Sequence, residues 1–135
     1  MTINHEQHTT HLGQQSRQLL RHEVERQLVS EVGQLLAHQP DEGLTWDSSQ
    51  SDLIEALHVA FTTGMLADAE GNMMPFRSLV GRAASVLHFR PPRNPYQVAS
   101  RAARRKGVQR TSFMRRYQLL LSHDVELPFL RHVKA

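Results

Sequence analysis

Apolar residues in the first third of the chain recur at helical steps. From about Gln14 the row runs Leu19 and Leu20, Val24, Leu28, Val32, then Leu35 and Leu36. Such spacing puts one apolar stripe on a long amphipathic helix. Arg17, Arg21, Glu23, Glu25, Arg26 and Glu31 are expected on its other faces. The stripe needs cover, either from the rest of the chain or from a second copy; a homodimer through residues 14–38 is the second case. Pro40 in "HQPDEG" ends the helix, because proline disfavours helical geometry at the residue before it.

Four shorter helices are expected downstream. Leu44 and Trp46 alternate around Thr45, which suits a short extended segment. Asp52 followed by Glu55 has the form of a capping box opening a helix to Thr63, with Gly64 closing it. Pro75 suits the first position of a third helix carrying Phe76, Leu79, Val80, Ala83 and Leu87. Three prolines in "FRPPRNP" interrupt, and Asn94 with Pro95 opens a fourth helix to about Lys106. Gly107 lies in the turn "KGVQR", and Thr111 or Ser112 caps a fifth helix to about Ser122. Residues 1–13 are polar and read as a disordered tail. Residues 123–135 are a closing segment or a second tail. The expected class is all-α, with about five helices and a helix-turn-helix near the C-terminus.

Charge changes this picture more than composition does. The chain has 135 residues, no cysteine and a net charge of +3. That small net charge hides a strong polarity. Residues 1–70 hold eleven acids and three bases, whereas residues 71–123 hold eleven bases and no acid. The stretch "SRAARRKGVQRTSFMRRY" carries seven of those bases. Solvated helix faces normally mix signs, so an acid-free half points to a polyanionic partner. Lack of cysteine excludes disulfides, thiolate metal sites and thiol catalysis, and fits a reducing, cytoplasmic setting. The longest apolar runs are too short to span a membrane.

The basic stretch falls on the fourth helix, the turn and the fifth helix. In a helix-turn-helix reader, the start of the second helix meets base edges in the major groove. Arg110, Thr111, Ser112, Arg115 and Arg116 occupy that start and are the expected groove contacts. Arginine reads guanine through two parallel hydrogen bonds. Free backbone N–H groups at the helix start, with the Thr111 and Ser112 hydroxyls, suit phosphate. Arg93, Arg101, Arg104, Arg105 and Lys106 are the expected phosphate contacts. About six such contacts would give a log–log salt slope near −5.

Other motifs are weaker. His5, His8 and His11 recur at steps of three, within the expected tail. Glu55 and His58 form one Glu-x-x-His unit, but carboxylate-bridged di-iron bundles need two. "HEVER" lacks the second histidine of a zinc protease. No nucleophile–base spacing or phosphate-binding glycine loop is present, so no catalytic residue, metal or cofactor is expected. Trp46 reads as a core cap, and Met65, Met73 and Met74 as apolar plugs under a loop.

The segment "LTWDSSQSDLIEALHVAFTTGML" resembles part of the RteC-type regulators, through Leu44, Trp46, Leu53, Ile54, Glu55, Ala56, Leu57, Ala60, Phe61 and Gly64. The resemblance continues through Phe89, Tyr96, Arg105, Lys106, Thr111, Phe113 and Met114, and covers about residues 44–122. It departs at Asp47–Ser48–Ser49, where the family has a Gly or Ser turn, and at Ser112, where the family has a basic residue. Where the family has a long N-terminal domain, one helix is expected here, at about residues 14–38. The resemblance implies a winged-helix-like DNA-binding region from a regulator of conjugative transposons.

The expected function is therefore a non-enzymatic transcriptional regulator that binds double-stranded DNA and belongs to a mobile element. A protein-interaction module docking an acidic partner through the basic half is a second reading. A non-specific RNA-binding protein is a third. The expected divisions are a tail (1–13), the first helix and linker (14–43), a DNA-binding domain (44–122) and the C-terminal segment (123–135). No membrane and no small-molecule substrate is expected as a partner.

Overall fold

The computed structural model of the protein describes residues 19–105 and 111–135. The expected tail, and Lys106, Gly107 and Arg110 in the expected turn, lie outside the described residues. Within the described residues the protein is all-α in class, with five α-helices: α1 (Arg21–Leu36), α2 (Gln50–Thr62), α3 (Phe76–Leu87), α4 (Pro95–Ala103) and α5 (Phe113–Ser122). A minimal antiparallel sheet joins β1 (Thr45–Trp46) to β2 (Val133–Lys134), pairing Thr45 with Lys134 and Trp46 with Val133.

Helix α2 is the central element and packs against the other four. Its Leu53, Ile54, Ala56, Leu57 and Ala60 are completely buried. The α1 stripe closes on the same core, with Leu28, Val32 and Leu35 fully covered by the chain itself. Those stripe residues are thus unavailable to a second copy, and only Leu20 at the start of the row is strongly exposed. Arg82 on α3 donates to the Leu36 and His38 carbonyl oxygens at 3.1 and 2.7 Å, satisfying the open C-terminal end of α1.

Local signals explain most boundaries. The Asn94 side chain accepts from the Gln97 N–H, and Pro95 occupies the first helical position of α4. Gly64 follows α2 at φ 72°, the left-handed geometry of a helix terminator. Four expectations need correction. Among the described residues α1 begins at Arg21 and not near Gln14, with Leu20 at its cap position and Leu19 ahead of it. Ser49, and not Asp52, caps α2; its hydroxyl accepts the Asp52 N–H at 3.1 Å. Pro75 stands one place earlier, at the cap position of α3. Glu31 does not lie on an outer face of α1 but is fully buried.

Residues 123–135 close the core. Phe129 is fully buried, and its ring centroid lies 5.1 Å from that of Trp46. Glu31 explains how the segment is held. Its Oε1 accepts the N–H groups of Phe129 and Leu130 at 2.9 Å each. Its Oε2 accepts the Tyr117 hydroxyl at 2.5 Å and the Gln27 amide at 3.2 Å. One carboxylate on α1 thereby ties α5 and the C-terminal segment together. Burial, then the hydrogen bond and charge of Glu31, push the Tyr117 hydroxyl far above its ordinary range.

Candidate nucleic-acid interface

The bases of residues 71–123 divide by what their side chains touch. Arg82 is consumed as the α1 cap, and Arg77 donates to the Arg93 carbonyl at 3.2 Å. Arg105 and Arg116 face Asp52, at 3.8 and 2.6 Å. Arg90, Arg93, Arg101, Arg104 and Arg115 are exposed and make no ion pair among the described residues. Three of these line the outer side of α4 and the turn before it: Arg93, Arg101 and Arg104. Tyr96, Gln97 and Ser100 lie exposed between them. The inner side of α4 is Ala99 and Ala102, both buried. Small inward residues let α4 lie close on α2, and the long cationic side chains are left to face solvent.

The start of α5 is built differently. Ser112 caps it, accepting the Arg115 N–H at 3.2 Å. The next two donors are already satisfied: the Phe113 and Met114 N–H groups bind the Glu55 carboxylate at 2.8 and 3.0 Å. Glu55 is 2% exposed and comes from α2. A carboxylate at a helix N-terminus is favoured by the unpaired N–H groups and the helix dipole. The expectation that the N–H groups at this helix start bind phosphate is therefore corrected for Phe113 and Met114, because the Glu55 carboxylate already occupies them.

Asp52, one turn before Glu55 on α2, is the second acid facing this region. Its Oδ2 accepts the Ser48 hydroxyl at 2.7 Å. Its Oδ1 accepts Arg116 Nη2 at 2.6 Å, with Arg105 Nη1 at 3.8 Å from the same oxygen. Burial pushes the Asp52 carboxyl upward. Hydrogen bonds from Arg116, Ser48 and Ser49 and the Arg116 charge outweigh that effect and hold it below the usual carboxylate range. The Arg116 guanidinium also lies 5.6 Å from the Phe113 ring centroid, within cation–π range.

The expected site residues thus fall into three groups. Arg93, Arg101, Arg104 and Arg115 are exposed. Arg105, Thr111, Ser112 and Arg116 are half-buried, and Arg105, Ser112 and Arg116 among them are engaged by the protein itself. Lys106 and Arg110 lie outside the described residues, as does the turn of the expected helix-turn-helix. An open cleft of about 590 Å³ separates the start of α1 from the end of α4 and the start of α5. Arg105 and Arg115 line it beside apolar Val24, Val59 and Met114.

In the sequence pattern Asp52 and Glu55 have the form of a local cap and of a fragment of a metal motif. Both reach instead to the far end of the chain. A signal was present: two acids one turn apart on an otherwise apolar helix, in a chain whose other half has bases and no acids. The Glu-x-x-His pair is drawn apart. Glu55 faces α5, while His58 packs edge-on against Phe76 and Tyr96 at 5.0 and 5.8 Å. Burial lowers the His58 pKa. Among the described residues no group of three or more His, Asp or Glu is placed to hold a metal ion, and no helix is long and apolar enough to cross a membrane. No protein-family model, curated protein or solved structure matches the chain.

Proposed function

We propose that this protein binds nucleic acid, and duplex DNA in the first place, through the exposed side of α4 and the start of α5. One observation carries the reading: Arg93, Arg101, Arg104 and Arg115 stand in solvent without an ion pair among the described residues, in a stretch that contains no acid. Unneutralised cations along a helix suit the phosphate backbone, where binding releases condensed counterions. Arg115 is the described residue best suited to a base edge, since it is exposed at the start of α5. The helix-turn-helix arrangement of α4 and α5 belongs to this proposal. The narrower role, a transcriptional regulator of a mobile element, rests on the resemblance over residues 44–122 alone.

Met65 and Met73 are not the expected plugs under a loop but stand exposed at 49 and 59%, and with Tyr96 at 46% they favour docking of an acidic protein as a second reading. Thioethers and an aromatic ring at the surface suit a protein partner more than phosphates. A paired substitution separates the two. Arg101→Gln with Arg104→Gln should weaken binding to random duplex DNA and make the salt slope shallower by about two. Unchanged DNA affinity in that variant would reject the assignment of α4.

A further inference from the structure

The arrangement around Asp52 adds a more specific contact to the proposed DNA-binding surface, a contact whose role rests on that reading. Arg105 lies just beyond the end of α4, and Arg116 lies in the first turn of α5. Both guanidiniums converge on one oxygen, Asp52 Oδ1, at 3.8 and 2.6 Å. The two residues come from opposite sides of the α4–α5 connection. A third element, α2, holds them together.

The post they share is rigid. The Asp52 side chain is 5% exposed, its other oxygen accepts the Ser48 hydroxyl, and its backbone N–H is bonded to the Ser49 cap. Arg116 rests against Phe113, whose N–H is fixed by Glu55. The cluster remains open to solvent, because the side chains of Arg105 and Arg116 are 27 and 41% exposed. One carboxylate does not exhaust two guanidiniums. Each has five N–H donors, and two cations against one anion leave a positive charge.

We propose that Arg105 and Arg116 clamp one backbone phosphate of the bound nucleic acid, and that Asp52 is the positioning residue that sets their spacing. Arg116 is thereby moved from groove reading to backbone binding. Its tether to a buried carboxylate keeps it at the surface of α5, where a phosphate passes, and not extended into a groove. Arg116 is hydrogen-bonded to Asp52 Oδ1 and Arg105 stands at ion-pair distance from the same oxygen, so both guanidiniums are held beside one anionic group, as a phosphate requires. Bidentate guanidinium contacts depend on such fixed orientation, which lysine does not reproduce.

The competing account makes Asp52 an internal counter-ion that only mutes the charge of the surface. The two accounts give opposite signs for Asp52→Asn, which removes a negative charge but keeps an acceptor for Arg116. Anisotropy of a labelled random-sequence duplex, titrated with the full chain across about 50 to 200 mM salt, reads the difference. The clamp predicts that Asp52→Asn weakens binding by about tenfold, although the protein becomes more positive. Tighter binding with a slope steeper by about one would overturn it.

Arg105→Lys and Arg116→Lys keep the charge and provide a second test in case Asp52→Asn fails to fold. Each should bind several-fold more weakly at equal net charge, and affinities equal to the parent would also overturn the clamp. Arg101→Gln, outside the clamp, reports on the underlying reading. If it weakens binding while the Asp52, Arg105 and Arg116 variants match the parent, the clamp alone fails. If the parent chain binds no DNA, both the clamp and the underlying reading fail.

Discussion

Helices α4 and α5 carry the same kind of charge and use it in opposite ways. On α4, Arg101 and the adjoining Arg104 stand in solvent without an ion pair among the described residues, over a floor of buried alanines. On α5, Arg116 is held by Asp52 and the first two N–H groups are held by Glu55. One helix offers its cations; the other is fastened by acids from α2. The difference shows why a count of arginines overstates the charge available to a partner. It also shows where a DNA reader would have freedom: along the α4 side and at Arg115, while the start of α5 acts as a fixed platform.

The largest effect is expected where the platform is fastened deepest. Glu31→Ala removes the acceptor for Tyr117, Phe129 and Leu130 at a site with no solvent access. Stranding these donors should cost about 3–5 kcal/mol, read as a fall in the urea midpoint. Glu55→Ala comes next. It strands the Phe113 and Met114 N–H groups and removes a charge favoured by the α5 dipole, for about 2–3 kcal/mol. If α5 is a fixed element, both changes must destabilise the protein more than any substitution on the outer side of α4. Arg101→Gln and Arg104→Gln should each leave stability within about 0.5 kcal/mol of the parent while weakening DNA binding.

Two pH effects sharpen the same contrast. The Asp52 carboxyl is depressed in the folded protein below its ordinary value of 3.8. It therefore adds stability above that value, and the contribution is lost as pH falls from there through the folded pKa. Asp52→Asn should flatten the acid limb of the stability profile. Tyr117 has the opposite sign. Its hydroxyl is raised above an ordinary 10.0, so its contribution is complete below that pH and is lost as pH rises past it. Tyr117→Phe should be less stable near neutrality, by about 1–2 kcal/mol, yet should lose this alkaline dependence in denaturation followed by circular dichroism.

What was legible in the sequence was local. The α1 stripe from Val24 to Leu35, the Asn94–Pro95 start of α4, a cap at Thr111 or Ser112 and the terminating Gly64 each depend on a few neighbouring residues, and each lies where its spacing places it. The extended pair at Thr45–Trp46 was legible for the same reason. The buried acids were not. Glu31 occupies a helix position that periodicity assigns to an outer face. Its partners, Phe129 and Leu130, lie far along the chain, where no periodic signal links them. Asp52 and Glu55 fit a local cap so well that their long-range roles were hidden. The order of residues 123–135 obeys the same logic, since the segment is held by Glu31 and Trp46 and has no α-helix of its own to announce it.

The basic surface was legible as charge, and its division into offered and fastened arginines was not, because that depends on which acids fold against it. The most direct test of the central claim is the affinity of the unmodified protein for random duplex DNA as a function of salt. Phosphate contacts from Arg93, Arg101 and Arg104, with one clamped phosphate, predict a log–log slope of about −3.5. Absent or salt-independent binding at low ionic strength would contradict the account and turn attention to an acidic protein partner.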